Sequence, residues 1–284
     1  MSLAIRIIPR LDIKGPNLVK GIHLEGLRVL GKPESFAKFY YEQGADELFY
    51  QDVVASLYGR NSLQDIISRT AKEIFIPLTV GGGIRDINDI SKILRAGADK
   101  VSINTAAIRN PGLISSSSNT FGSSTIVVSI EAIKQPDGHY KAFTDNGRNS
   151  SSKEVVSWAQ EVEQLGAGEI LLTCVDKEGS GKGFDLLLAK QVCEAVSIPV
   201  VVHGGAGNMQ HVLDLTKNLS LSGIAIASLF HYDCILHNRQ LDGYDEGNID
   251  FLKSNRALST IQSLSIKELK SFLLENNIAC RENE

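Results

Sequence analysis

The chain has 284 residues, 43% of them hydrophobic, enough apolar material for the core of one large domain. A formal net charge of −4 gives no electrostatic case for nucleic acid or an anionic membrane surface. The opening MSLAIRIIPRLDIKG is charged too early for a secretion signal, no apolar run approaches the roughly 20 residues of a spanning helix, and four cysteines without CxxC spacing fit reduced thiols in the cytoplasm.

In chain order, IRIIPRL reads as a first strand with Asp12 at its C-terminal end. The segment from there to Pro33, which contains Lys20, is far longer than the usual two to six residues of a βα connection and marks an active-site loop. Pro33 at the first helical position opens a helix that Gly44 closes. DELFYQD is the second strand, ending in Asp52, and SLQDIISRTAKEI the second helix. PLTVGG then leads into a turn of Gly81, Gly82 and Gly83. IRDINDISKILRAG has apolar residues at helical spacing, and DKVSIN is a buried strand ending at Asn104 and Thr105. NPGLISSSSNTFG is a weak helix, because its serine run lowers helix propensity.

The fifth strand, STIVVSIE, ends in Glu131. AIKQPDGHYKAFTDNG reads as a β-hairpin turning at Pro136, Asp137 and Gly138. KEVVSWAQEVEQLG is the fifth main helix, and GEILLTCVD the sixth strand, ending in Asp176. A loop with Glu178, Gly179, Gly181 and Gly183 precedes the next helix. The seventh strand, IPVVVH, ends in His203 before a second glycine turn at Gly204 and Gly205, and the eighth reaches Ala227 and Ser228. Residues 233–264 mix polarity with little periodicity and read as an insertion, with a short helix around Asp250 to Ala257. SIKELKSFLLENN is the last helix, in the closing segment 265–284.

The chain repeats itself. Gly44 to Ser56 resembles Gly166 to Ser180 at an offset of 122 residues, Gly81 matches Gly204 at 123, and Asp12 matches Glu131 at 119. Four strand–helix cycles in each half make eight, the pattern of a (β/α)8 barrel built from half-barrels of about 1–122 and 123–232 within one domain, 1–284. An open doubly wound sheet gives no reason for such a repeat.

Reacting groups of such a barrel sit at the C-terminal ends of its strands. Asp12 and Glu131, related by the repeat, face each other across the mouth and suit general acid–base work. The two glycine turns, at Gly83 and at Gly204 and Gly205, predict opposed phosphate sites, completed by Asn104 and Thr105 on one side and Ala227 and Ser228 on the other. The substrate expected is therefore long, with a phosphate at each end. His203 reads as packing beside the glycines rather than as a base. At the opposite end, Arg6, Glu47, Lys100 and Glu169 start four strands and converge as a ring of salt bridges. Spacing leaves open whether that ring stabilises the barrel or gates a path through it.

These segments (RIIPRLDIK, DELFYQD, PLTVGGGI, GADKVSINTAA, GAGEILLT, VDKEG and HGGAG) resemble the cyclase subunit of imidazole glycerol phosphate synthase over about residues 1–232 and again in the last helix. The resemblance implies Asp12 and Glu131 as the catalytic pair, with Lys20 and Asp176 among the substrate-binding residues. It places phosphate contacts at Gly83, Asn104, Thr105, Gly179, Gly205, Ala227 and Ser228. It also implies that Arg6, Glu47, Lys100 and Glu169 gate ammonia released by a glutaminase docked on the lower face. No cofactor and no metal are implied.

The chain departs from the family pattern around the mouth. Glu131 stands where aspartate is usual, Pro9 and Arg10 precede Leu11 where cysteine is usual, and His203 replaces a small residue. Two alternatives follow: a paralogue that delivers ammonia to a nucleotide sugar in surface-polysaccharide synthesis, and a non-catalytic scaffold that activates a glutaminase.

Overall fold

The computed structural model describes residues 4–55, 63–238 and 261–281. Twelve strands form one sheet: β1 (Arg6–Lys14), β2 (Asn17–Ile22), β3 (Glu25–Gly31), β4 (Leu48–Asp52), β5 (Leu78–Gly81), β6 (Lys100–Ile103), β7 (Ile126–Lys134), β8 (Tyr140–Thr144), β9 (Asn149–Glu154), β10 (Glu169–Cys174), β11 (Val200–His203) and β12 (Gly223–Ile226). Eight of them (β1, β4, β5, β6, β7, β10, β11 and β12) pair in parallel and in that order, and β12 returns to β1. Helices separate them. The chain is the (β/α)8 barrel that its repeat implies.

Alternation along the strands sorts side chains between two cores. Ile8, Phe49, Val127, Leu171, Val201 and Ala225 make a closed layer inside the barrel. Their neighbours Ile7, Leu48, Val128, Ile170, Val202 and Ile224 face outward into a larger core shared with the helices. The helix Pro33–Glu42 shows how that core is reached: Pro33, Phe36, Ala37 and Tyr40, at helical spacing, are its buried face. No helix among the described residues is long and apolar enough to cross a membrane.

Pro9 has no N–H to give the ladder. β1 pairs with β12 through Arg6–Pro9 and with β4 only from Arg10 onward. Below that point the Asp46 carboxylate takes the Ile7 N–H at 2.7 Å, and the buried ammonium of Lys270 reaches the same carboxylate at 2.8 Å. The last helix, Ile266–Glu275, which carries Lys270, is thereby tied to the start of the barrel.

Several elements differ from the sequence reading. The long first loop is a hairpin, β2 on β3, laid back along β1 with Asp12 opposite Val19. β1, paired with β2, and β7, paired with β8, thus run past Asp12 and Glu131 to Lys14 and Lys134. The hairpin after the fifth barrel strand gains a third strand, β9, which takes in Lys153 and Glu154; the helix Val155–Gln164 starts later than its periodicity implies, capped by Glu154 on the Ser157 N–H. The sixth barrel strand stops at Cys174, short of Asp176. Residues expected to begin the insertion at 233 belong to the helix Ser228–His237, which buries Leu229, Phe230, His231, Asp233, Cys234 and Ile235. Residues 239–260, with the helix expected around Asp250 to Ala257, lie outside the described residues.

Candidate active site at the barrel mouth

Asp12 and Glu131 occupy equivalent registers. Asp12 pairs with Gln51 across β1 and β4, and Glu131 with Thr173 across β7 and β10, an offset of 122 between the partners. Both carboxylates are buried, 4% exposed each, yet their surroundings differ. Asp12 Oδ1 accepts from Arg10 Nε at 2.9 Å. Glu131 Oε2 accepts from the Gly147 N–H at 2.7 Å. Burial pushes the Glu131 carboxyl up to about 7, against the pull of the Gly147 N–H, Arg10 and Asn104.

A cleft of about 290 Å³ runs from Glu131 to the first glycine turn. Gly82, Gly83, Asn104, Thr105 and Arg109 line it with Glu131. Three polar atoms buried along its wall, Ser102 Oγ, Asn104 Oδ1 and Asn146 Oδ1, make no hydrogen bond within the protein. Asn104 Nδ2 donates to the Phe143 carbonyl at 3.1 Å, and Thr105 Oγ1 accepts the Asp145 N–H at 3.0 Å. The wall is thus braced by the turn after β8. Arg109 adds a partly solvated cation, paired with Asp145 at 3.0 Å.

The second glycine turn repeats the first in backbone. Gly82 (φ 101°) packs on Asp52 and Gly204 (φ 98°) on Cys174, so closely that a Cβ on either would strike the backbone beneath. The structural match is therefore Gly82 with Gly204, and Gly81 corresponds to His203. The N-caps that follow, Asp86 and Asn208, keep the offset of 122 and each accepts the N–H three residues on. Asn104 and Ala227 likewise cap the helices Thr105–Arg109 and Ser228–His237 in similar conformations (φ −126°, ψ −81° and φ −113°, ψ −75°). Ser228 is buried beside Ala227. Gly205 lies against Gly183, whose N–H donates to its carbonyl at 2.8 Å.

Lys20, on β2, is buried and donates to Glu178 Oε1 at 2.7 Å and to the Gly21 carbonyl. Glu178 Oε2 accepts the Leu24 N–H at 2.9 Å, and Gly179 sits against Gly21 and Lys20, so the β2–β3 hairpin is fastened to the loop after β10. Asp176 stands apart from this group: it is exposed, and its Oδ2 accepts the Lys134 N–H at 2.8 Å on the outer hairpin.

Sequence reasoning singled out Arg10 only as a departure and read His203 as packing beside the glycines. In the structure the buried Arg10 guanidinium also donates through Nη1 to Thr173 Oγ1 and to His203 Nδ1, both at 3.2 Å, and lies over the Phe49 ring at 5.9 Å. The i, i+2 spacing of Arg10 and Asp12 on one strand put them on the same face; nothing in the sequence gave the partners across the barrel.

At the other end the four charged residues close a ring. Arg6 binds Glu47 at 2.8 Å and also Glu169, and Lys100 binds Glu47 at 3.0 Å and Glu169 at 2.9 Å. Thr79 Oγ1 adds a hydrogen bond to Glu47 at 2.5 Å. Burial alone would raise the Glu169 carboxyl, but the hydrogen bonds and charges of Arg6 and Lys100 prevail and hold it below the usual range.

Comparison with known proteins adds the family to this geometry. The family model described as "Histidine biosynthesis protein" matches residues 6–235. This chain belongs to that family. It is 58% identical over 206 residues to the imidazole glycerol phosphate synthase subunit HisF of Legionella pneumophila, an alignment covering 72% of this chain and 97% of that protein. The subunit of the same name from Geobacillus thermodenitrificans is 49% identical over 229 residues, covering 80% and 90% of the two chains. The one from Methanopyrus kandleri is 44% identical over 250 residues, covering 82% and 92%. The family's matched span takes in both strand-end carboxylates, both glycine turns and the lower ring.

Proposed function

We propose that this chain is an ammonia-dependent cyclase of the imidazole glycerol phosphate synthase type. Its substrate is the phosphoribulosyl-formimino aminoimidazole carboxamide ribonucleotide, and its products are imidazole glycerol phosphate and the aminoimidazole carboxamide ribonucleotide. The observation that carries the reading is the pair of buried carboxylates at equivalent registers of the two half-barrels, in unlike surroundings. Glu131, lifted toward neutrality, holds a proton to give to the leaving aminoimidazole. Asp12, salt-bridged to Arg10, is the base that takes a proton from the incoming nitrogen. One substrate phosphate sits in the cleft at Gly83, Asn104 and Thr105, with Arg109 beside it. The other sits at Gly179, Gly205, Ala227 and Ser228, with Lys20 and Asp176 at the edge of the site. Ammonia comes from a glutaminase subunit on the lower face, and the ring of Arg6, Glu47, Lys100 and Glu169 controls its entry.

The test is product identification by mass after the purified chain is incubated with that substrate and ammonium. Both products are expected. If neither forms, this reading fails. One observation favours a second acceptor: Arg10 and His203 place a cation and an imidazole inside the mouth, where the family pattern has small residues. Amination of a nucleotide sugar supplied in place of that substrate, with no cyclisation of the phosphoribulosyl compound, would establish that reading instead.

A further inference from the structure

We propose that Arg10 is the positioning residue of the mouth: from inside the barrel it holds the Asp12 carboxylate and fixes the ring nitrogen of His203 that carries the proton. The inference rests on the cyclase reading only for its kinetic arm. Arg10 is 2% exposed and donates to groups on three strands: Asp12 on β1, Thr173 on β10 and His203 on β11. Its place in the barrel lies between the apolar layer of Ile8, Phe49 and Leu171 and the carboxylates above.

Three physical arguments give this arrangement its role. A guanidinium only donates, so His203 Nδ1 must accept and the imidazole proton must reside on Nε2. Burial keeps that ring neutral, and the charges of Arg10, Lys20 and His231 act in the same direction. Second, the planar fork lets Nε hold Asp12 while Nη1 spans Thr173 and His203; a lysine ammonium, a point charge on a flexible stem, has no rigid fork to fix these directions together. Third, removing Arg10 alone leaves the Asp12 carboxylate buried without its cation, which is typically destabilising, so each variant's fold is checked beside its rate. What the fork provides is a fixed direction for the Asp12 carboxylate.

The experiment has two arms. In the first, Arg10→Met, Arg10→Lys and Arg10→Ala are assayed with the phosphoribulosyl substrate and saturating ammonium, folding being checked by thermal unfolding. All three should lose about 100-fold in kcat, the scale of a small misplacement of a reacting group. KM should change little, since the phosphate contacts lie on other strands, and added guanidinium ion should restore part of the Arg10→Ala rate. Wild-type kcat in a folded Arg10→Met overturns the proposal. In the second arm, nitrogen-15 NMR of the histidine-labelled chain, with His203 assigned through His203→Gln, reads the tautomer directly. The wild-type ring should be neutral with its proton on Nε2, and Arg10→Met should lose that preference. A proton on Nδ1 in the wild type overturns the proposal without any variant having to fold. If the wild type makes no product from the phosphoribulosyl substrate, the cyclase reading fails while the tautomer still decides this one.

Discussion

Glu131 holds its proton more tightly in the folded chain than an exposed glutamate does, with its carboxyl near 7 against an ordinary value of 4.5. The sign of the linkage follows. Stability from the protonated, buried form is fully present below the unfolded value and is lost as pH rises through about 7. A shift of that size corresponds to about 3 kcal/mol. Glu131→Gln mimics the protonated form, so it should match wild-type stability near pH 4 and exceed it at pH 8 by about that amount. Denaturant titrations of both proteins at the two pH values check this; an identical pH dependence would show that burial does not govern this carboxyl. At the residue scale the sequence revealed Asp12 and Glu131, because strand-end position and the repeat both pointed to them. It could not reveal that Arg10 reaches Thr173 and His203 as well as Asp12, since spacing along a strand assigns a face but not a partner on the far wall. Asp176 was read as the end of the sixth barrel strand because VD continues an apolar run, but the strand stops at Cys174 and the Asp176 carboxylate takes the Lys134 N–H.

At the scale of elements, the β2–β3 hairpin is fastened to the loop after β10 through Lys20, Leu24 and Glu178. Its two-residue turn is His23 and Leu24, with φ of 54° and 61°, a conformation that side chains of this size rarely adopt. Without glycine or asparagine there, the sequence shows only a long loop, whereas Pro136, Asp137 and Gly138 announce the other hairpin. The strained turn is held by the burial of Leu24, by the Glu178 carboxylate on its N–H and by Asn146 Nδ2 on its carbonyl at 3.1 Å. Lys20→Met leaves Glu178 buried without its cation, and a broken buried pair is typically destabilising by about 3 kcal/mol. The loss should fall on local opening, so amide exchange across residues 17–31 should rise about a hundredfold. Unchanged exchange would mean that other contacts hold the hairpin closed. β9 was also hidden, since NSSSKE is polar throughout and carries no alternation, yet pairs at the sheet edge. The last helix was plain by contrast: Ser265 and Glu268 form a capping box. Ser265→Ala should lower stability by about 1 kcal/mol, measured by denaturant titration.

Over the whole molecule the half-barrel repeat survives as geometry. The Gly82 and Gly204 turns, the Asp86 and Asn208 caps and the acidic ring residues Glu47 and Glu169 all keep the offset of 122. The pattern of periods and repeats was enough for the barrel because each half must close against the other to bury its strands. Arg6 and Lys100 each bridge both glutamates, so the ring closes only with both cations in place. Lys100→Met should therefore reduce glutamine-driven turnover more than ammonium-driven turnover when the glutaminase subunit is present. Equal losses in the two assays would make the ring a stability element and not a gate.

The central claim, that Asp12 and Glu131 run acid–base chemistry on the phosphoribulosyl substrate, is tested most directly by single-chain turnover in saturating ammonium, with no glutaminase. The wild-type chain should form imidazole glycerol phosphate, and Asp12→Asn and Glu131→Gln should each lose about 10²- to 10⁴-fold in kcat. Turnover retained in both variants, while they remain folded, would contradict the account.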